Sequence, residues 1–197
     1  MRAFLAGICF LLAFIATGHS LECVVCHSYS EINCIGDLVT CPHNSTVCQT
    51  AVADIRYEGK VTANQVFKSC SENAQYDHYK EQMIGVSYDL IVKPCHEDGC
   101  NNEPIDFPPR NNTLNGVTCP TCYVEGASSC ESNNVTVQCT GDRTKCIYVA
   151  ATARISEEHP FDCAYRGCTN IKDVRQFPDF PGQTLNNVKT LQLTDGV

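Results

Sequence analysis

From Ile147 the apolar positions Ile147, Val149, Ala151, Ala153 and Ile155 recur at every second residue, the period of a half-buried strand. Ser156 to Pro160 breaks the run, and the chain returns toward Cys168. The same design occurs earlier. Gln49, Ala51, Ala53, Ile55 and Tyr57 alternate, Glu58-Gly59 makes a turn, and the chain comes back through Val61 to Cys70. Both segments predict long hairpins rooted at cysteines, while helical periodicity is scarce. The longest apolar run lies at the start. Arg2 gives a positive flank, Ala3 to Ile15 is almost unbroken, and Gly18-His19-Ser20 supplies small residues before a cut, so residues 1–20 read as a secretory signal peptide. A membrane span needs about 20 apolar residues, more than this run offers.

Removing the leader takes Cys9 with it and leaves 15 of the 16 cysteines. Cysteine at this density behind an export signal points to disulfides in an oxidising compartment. The cysteines also show a repeat. Cys23, Cys26 and Cys34 recur 96 residues on as Cys119, Cys122 and Cys130; Cys41, Cys48 and Cys70 recur 98 residues on as Cys139, Cys146 and Cys168. One two-residue insertion reconciles all six, the mark of an internal duplication. Pro104, Pro108 and Pro109 between the copies suit an extended connection. The expected organisation is a first domain over 21–102, a linker over 103–114 and a second domain over 115–197. Each unit is near the size at which a hydrophobic core needs covalent staples.

Leu21-Glu22-Cys23 with Cys-x2-Cys, the ordered cysteines that follow, Asp98-Gly99-Cys100-Asn101, and Arg166-Gly167-Cys168 resemble the three-finger domain of the lymphocyte antigen and urokinase receptor family. Two such domains in tandem look most like the gamma-type phospholipase A2 inhibitors. The resemblance implies an all-β, small disulfide-rich fold of two three-finger domains. It also implies the pairs Cys23–Cys48, Cys26–Cys34, Cys41–Cys70 and Cys95–Cys100, then Cys119–Cys146, Cys122–Cys130 and Cys139–Cys168. Cysteines alone leave many connectivities open. No cysteine follows Cys168, so the second domain is expected to lack its closing bridge and to be the less stable half. Cys163 is left unpaired; it aligns with Gln65 and is expected on the returning strand, reachable by solvent and available for a covalent homodimer.

The net charge of −8 fits poorly with nucleic acid or an anionic membrane and better with a basic partner. The polar stretch Thr190 to Val197 has no hydrophobic tail for a lipid anchor, so a soluble product is expected. The two Cys-x2-Cys pairs stand too far apart for a structural zinc site. His96-Glu97-Asp98 reads as a polar turn between bridged cysteines, and His27, His43, His78 and His159 sit in no nucleophile motif. Neither catalysis nor a cofactor has a candidate. Asn44, Asn111 and Asn134 open sequons and are candidate glycan acceptors. The hairpin tips supply the candidate contacts for a protein partner: Tyr57, Glu58 and Lys60 in the first unit, and Glu157, Glu158 and His159 in the second. The partner that the resemblance implies is a basic secreted phospholipase A2. A soluble receptor-like or cell-contact module is the other role it leaves open.

Overall fold

A computed structural model of the chain describes residues 20–153, 159–178 and 185–197. Twelve strands form it: β1 (Glu22–Ser28), β2 (Asp37–Thr40), β3 (Val47–Tyr57), β4 (Lys60–Ser71), β5 (Asp77–Met83), β6 (Val86–Cys95), β7 (Leu114–Pro120), β8 (Cys122–Glu125), β9 (Thr136–Thr140), β10 (Lys145–Ala153), β11 (Phe161–Thr169) and β12 (Leu185–Asp195). The only helical turn among the described residues is a 3₁₀ turn at Val174–Gln176. The all-β expectation holds.

In the first domain β1 and β2 form one finger, β3 and β4 the second, and β5 and β6 the third. The second finger is the expected hairpin, with Val47 opposite Ser71 and Tyr57 opposite Lys60. Glu58 and Gly59 both take positive φ, 49° and 77°, which matches the twist of flanking strands in a two-residue hairpin turn. In the second domain β10 and β11 repeat the design, with Cys146 opposite Cys168 and Ala153 opposite Phe161. Strand β12 then lies along β10 as β6 lies along β3. Cys48 faces Cys95 in the first domain; Cys146 faces Thr194 in the second. The backbones also close alike. Gly99 N–H donates to Glu22 O at 2.8 Å, and Val197 N–H donates to Thr118 O at 3.2 Å.

Seven disulfides staple the two domains: Cys23–Cys48, Cys26–Cys34, Cys41–Cys70 and Cys95–Cys100 in the first, and Cys119–Cys146, Cys122–Cys130 and Cys139–Cys168 in the second. At each root two bridges pack together, bringing the sulfurs of Cys23, Cys41 and Cys70, and of Cys119, Cys139 and Cys168, within 4.8 Å. All six sulfurs are held in disulfides and offer no thiolate to a metal.

Alternation implied one buried face for the long strands, yet the structure covers both. In β3, Ala51 and Ala53 pack into the main core, while Val52 joins Val66 and Ile91 on the opposite face. That second face is roofed by the linker. Ile105 is 7% exposed there, and Phe107 packs beside it. In β10 the opposite face, Ala150, is covered by the finger that Cys122–Cys130 closes.

The domains share one sheet. The strand order β12-β10-β11-β5-β6-β3-β4-β1-β2 crosses the boundary where β11 pairs with β5, Cys168 opposite Gln82 and Thr169 opposite Glu81. Gly167 makes this approach possible, because a Cβ there would stand 2.3 Å from Gln82 O. One core cluster accordingly draws Phe67, Tyr79 and Leu90 from the first domain and Ile147, Val149, Tyr165 and Ile171 from the second.

Cys163 departs from expectation. It has no partner among the described residues, but it is 4% exposed, so the expected solvent-reachable thiol is not what the structure shows. The cause is one additional rung of ladder. In the first domain the β1–β4 pairing stops at Ser28 opposite Val66, leaving Gln65 half-buried; in the second, β8 continues to Glu125 opposite Cys163 while Ala151 covers the other side. Burial also pushes the thiol pKa up, with Asp162 and Glu125 adding to it. Cys163 is therefore expected to resist iodoacetamide at pH 7.5 in the folded protein and to react fully once the chain is unfolded in guanidinium. Native labelling at the rate of a free thiol would show that the strand opens.

Candidate functional site

The seam between the domains concentrates buried polar chemistry. Asp54 on β3 and Asp89 on β6 are 6% and 2% exposed. Arg110, from the linker, reaches Asp54 at 2.5 Å and Asp89 at 3.1 Å; Arg143, from the second domain, reaches Asp89 at 2.9 Å. Arg56 closes the other end on Asp54 at 2.9 Å, which raises its pKa through that hydrogen bond. Asn170 holds β5 across the seam, its Oδ1 accepting from Lys80 N at 2.8 Å and its Nδ2 donating to His78 O at 2.7 Å. Lys80 pairs with Asp142 at 2.9 Å, and together with the other contacts of that carboxylate this holds it below its usual range against the opposing effect of burial.

Beside this network lies a cleft of about 380 Å³. Its walls are Tyr57 at the second finger of the first domain, Tyr79 on β5, Tyr88 on β6, Tyr123 on β8 and Tyr165 on β11, with Phe177 after the 3₁₀ turn. Tyr79 meets Tyr88 and Phe177 edge to face, with ring centroids 6.1 and 5.8 Å apart. Glu81 lies in the same wall, 4% exposed. The Tyr79 hydroxyl donates to Glu81 Oε1, and the Tyr165 hydroxyl donates to the same oxygen at 3.1 Å from the other domain. Burial lifts the Glu81 pKa from 4.5 to about 7, more than the two hydroxyls and the charge of Arg143 lower it.

A carboxyl whose pKa rises on folding stabilises the fold most while protonated. Its contribution is full below about pH 4.5 and is lost as pH rises through about 7. The melting temperature is expected to fall by a few degrees from pH 5 to pH 8, and Glu81→Gln to flatten that fall. An equal slope in the variant would place the titration elsewhere.

The structure sets the expected contacts apart from one another. Tyr57, Glu58 and Lys60 are exposed at the second fingertip, and Tyr57, 55% exposed, also lines the cleft. His159 is exposed just before β11, whereas Glu157 and Glu158 lie outside the described residues. Asn44, Asn111 and Asn134 are all exposed. The segment His96-Glu97-Asp98 is exposed, with Asp98 Oδ1 accepting from Glu22 N at 2.8 Å. Sequence reasoning missed the cleft altogether. Its only local signal is the row Tyr79, Glu81, Met83 on one face of β5, where a carboxylate interrupts apolar positions.

The fold and these bridges define a tandem three-finger protein. The u-PAR/Ly-6 domain family model matches residues 19–103 and 115–190, and the chain belongs to that family. It is 36% identical to Protein RoBo-1 of Rattus norvegicus over 128 residues, 62% of this chain and 48% of that protein, so the chain spans about half the length of that relative. It is 30% identical to a gamma-type phospholipase A2 inhibitor of Gloydius brevicaudus siniticus over 155 residues, 75% of this chain and 73% of that one. Mouse TEX101 is a structural neighbour, with a TM-score of 0.41 at 21% identity, covering 88% of this chain and 99% of its own.

Proposed function

We propose that this protein is a secreted, non-enzymatic binding protein that inhibits a secreted phospholipase A2. The observation that carries the reading is the likeness, running through most of both chains, to a gamma-type phospholipase A2 inhibitor. The leader over residues 1–20 is removed on export in this reading, and Asn44, Asn111 and Asn134 carry glycans. Inhibition proceeds by docking, which keeps the enzyme from its lipid surface. Seven disulfides hold the fingers rigid, so little ordering entropy is lost on association. The net charge of −8 speeds encounter with a basic enzyme. The contact surface is the second fingertip of the first domain, where Tyr57 offers a large exposed ring between Glu58 and the cleft.

The purified protein is expected to suppress phospholipid hydrolysis by a basic secreted phospholipase A2 at near-stoichiometric ratio, less strongly at high salt. Tyr57→Ala is expected to weaken binding about tenfold, the loss typical of an aromatic anchor. Unchanged hydrolysis across a panel of such enzymes, with no binding by surface plasmon resonance, would point instead to a receptor-like module.

A further inference from the structure

The carboxylate of Glu81 lies in a tyrosine-walled cleft and has no ion-pair partner among the described residues, Arg143 acting on it only through its field. None of the ion pairs among the described residues includes it. Both hydrogen bonds it accepts from described residues end on Oε1. Arg56 shares the cleft wall, but its Nε and Nη2 are committed to Asp54 at 2.9 and 3.2 Å. An ionised carboxylate in an apolar setting is costly unless a counter-charge reaches it. A small inorganic cation would need several oxygen ligands to replace its water, and the cleft offers few, since the Tyr79 and Tyr165 hydroxyls already point their protons at Glu81. A weakly hydrated organic ammonium needs no such shell. Ring faces attract it, and one carboxylate neutralises it. The volume, about 380 Å³, takes such a head group with a short apolar body.

We propose that the cleft between the two domains binds an organic ammonium cation, seated on Glu81 and walled by tyrosine rings from both domains. The occupant is a small molecule, and its seat on Glu81 requires no protein at the fingertips, although Tyr57 belongs to both the fingertip and the mouth of the cleft. Tyr57 and Tyr123, 55% and 54% exposed, form the mouth, while Tyr79 and Tyr165 hold the carboxylate in place below. A cation selects the ionised form of Glu81, so affinity grows as pH rises through about 7. The other groups facing the carboxyl do not titrate there. Burial drives the Tyr79, Tyr88 and Tyr165 hydroxyls above their ordinary range, and Arg56 and Arg143 remain charged.

The test titrates the full secreted protein with choline and, in parallel, with its uncharged isostere 3,3-dimethylbutan-1-ol, following tyrosine ring resonances by NMR. Saturable shifts of Tyr123 and Tyr165 are expected with choline, about tenfold weaker binding of the isostere, and about tenfold tighter choline binding at pH 8 than at pH 6. Glu81→Gln keeps an acceptor for both hydroxyls and is expected to fold, to lose about tenfold in choline affinity and to bind independently of pH. Should that variant fail to fold, Tyr123→Ala decides, because its ring is exposed; a loss of several-fold is expected there. Equal binding of choline and the isostere would leave only an apolar pocket and overturn the proposal. So would unchanged affinity in Tyr123→Ala, or no saturable shift up to tens of millimolar choline.

Discussion

Asn101→Ala is expected to lower the melting temperature of the protein by about 10 °C, and with it the yield of folded protein on secretion. The side chain is 3% exposed and ties the first finger to the central strand. Oδ1 accepts from Val24 N at 2.9 Å, while Nδ2 donates to Val24 O at 2.8 Å and to Gln49 O at 3.3 Å. Strands β1 and β3 are not neighbours in the sheet, so these bonds do what no ladder does between them. Alanine strands three buried backbone groups at about 1–3 kcal/mol each, partly relieved by relaxation, for a net loss of about 3–4 kcal/mol. Asn101→Asp retains the acceptor but sets a buried carboxylate against the Val24 and Gln49 carbonyls, so it should destabilise at least as much as alanine. Differential scanning of the three proteins checks the order. A shift below about 2 °C for alanine would mean that Cys95–Cys100 alone fixes the closing turn.

What the chain shows in one dimension is the part built from covalent and short-range order. The six cysteines in common register and the Glu58-Gly59 turn are local patterns, and the two long hairpins follow from them. The seam is not local. Arg143 meets Asp89 from 54 residues away, Tyr165 meets Glu81 from 84, and Lys80 meets Asn170 from 90. Glu81 and Asp89 carry no local sign of burial; the partners that meet them are Tyr165 from the second domain, and Arg110 from the linker with Arg143 from the second domain. The linker misleads for a similar reason. Its prolines indicate an extended path, which gives no sign that Ile105 roofs one core or that Arg110 enters an ion network. At Cys163 the alignment to Gln65 was sound, and a single added rung of β8 reversed its exposure.

Asp89→Asn is expected to cost about 3–5 kcal/mol, the largest effect of any single substitution at the seam, because it leaves buried guanidinium groups without their carboxylate. Arg143 is 5% exposed, and its Nε has no hydrogen-bond partner among the described residues even with Asp89 present. Arg110 keeps Asp54 and tolerates the change better. The penalty is therefore that of a stranded charge more than of a lost attraction, and a buried ion pair is itself close to break-even against apolar groups of similar size. That difference is measurable. In the Asp89→Asn background, Arg143→Met should restore most of the lost stability, whereas in the wild-type background the same substitution should destabilise, giving a coupling of about 2–3 kcal/mol in a double-mutant cycle. Since Asp89 belongs to the first domain and Arg143 to the second, the single variant should also open the seam, exposing β5 to proteolysis at temperatures where both domains remain folded. Cleavage between Asp77 and Met83, suppressed again in the double variant, would show that this charge network holds the cleft between the domains closed. The same loss from Arg143→Met in both backgrounds would show instead that the sheet pairing of β5 with β11 and the shared core suffice.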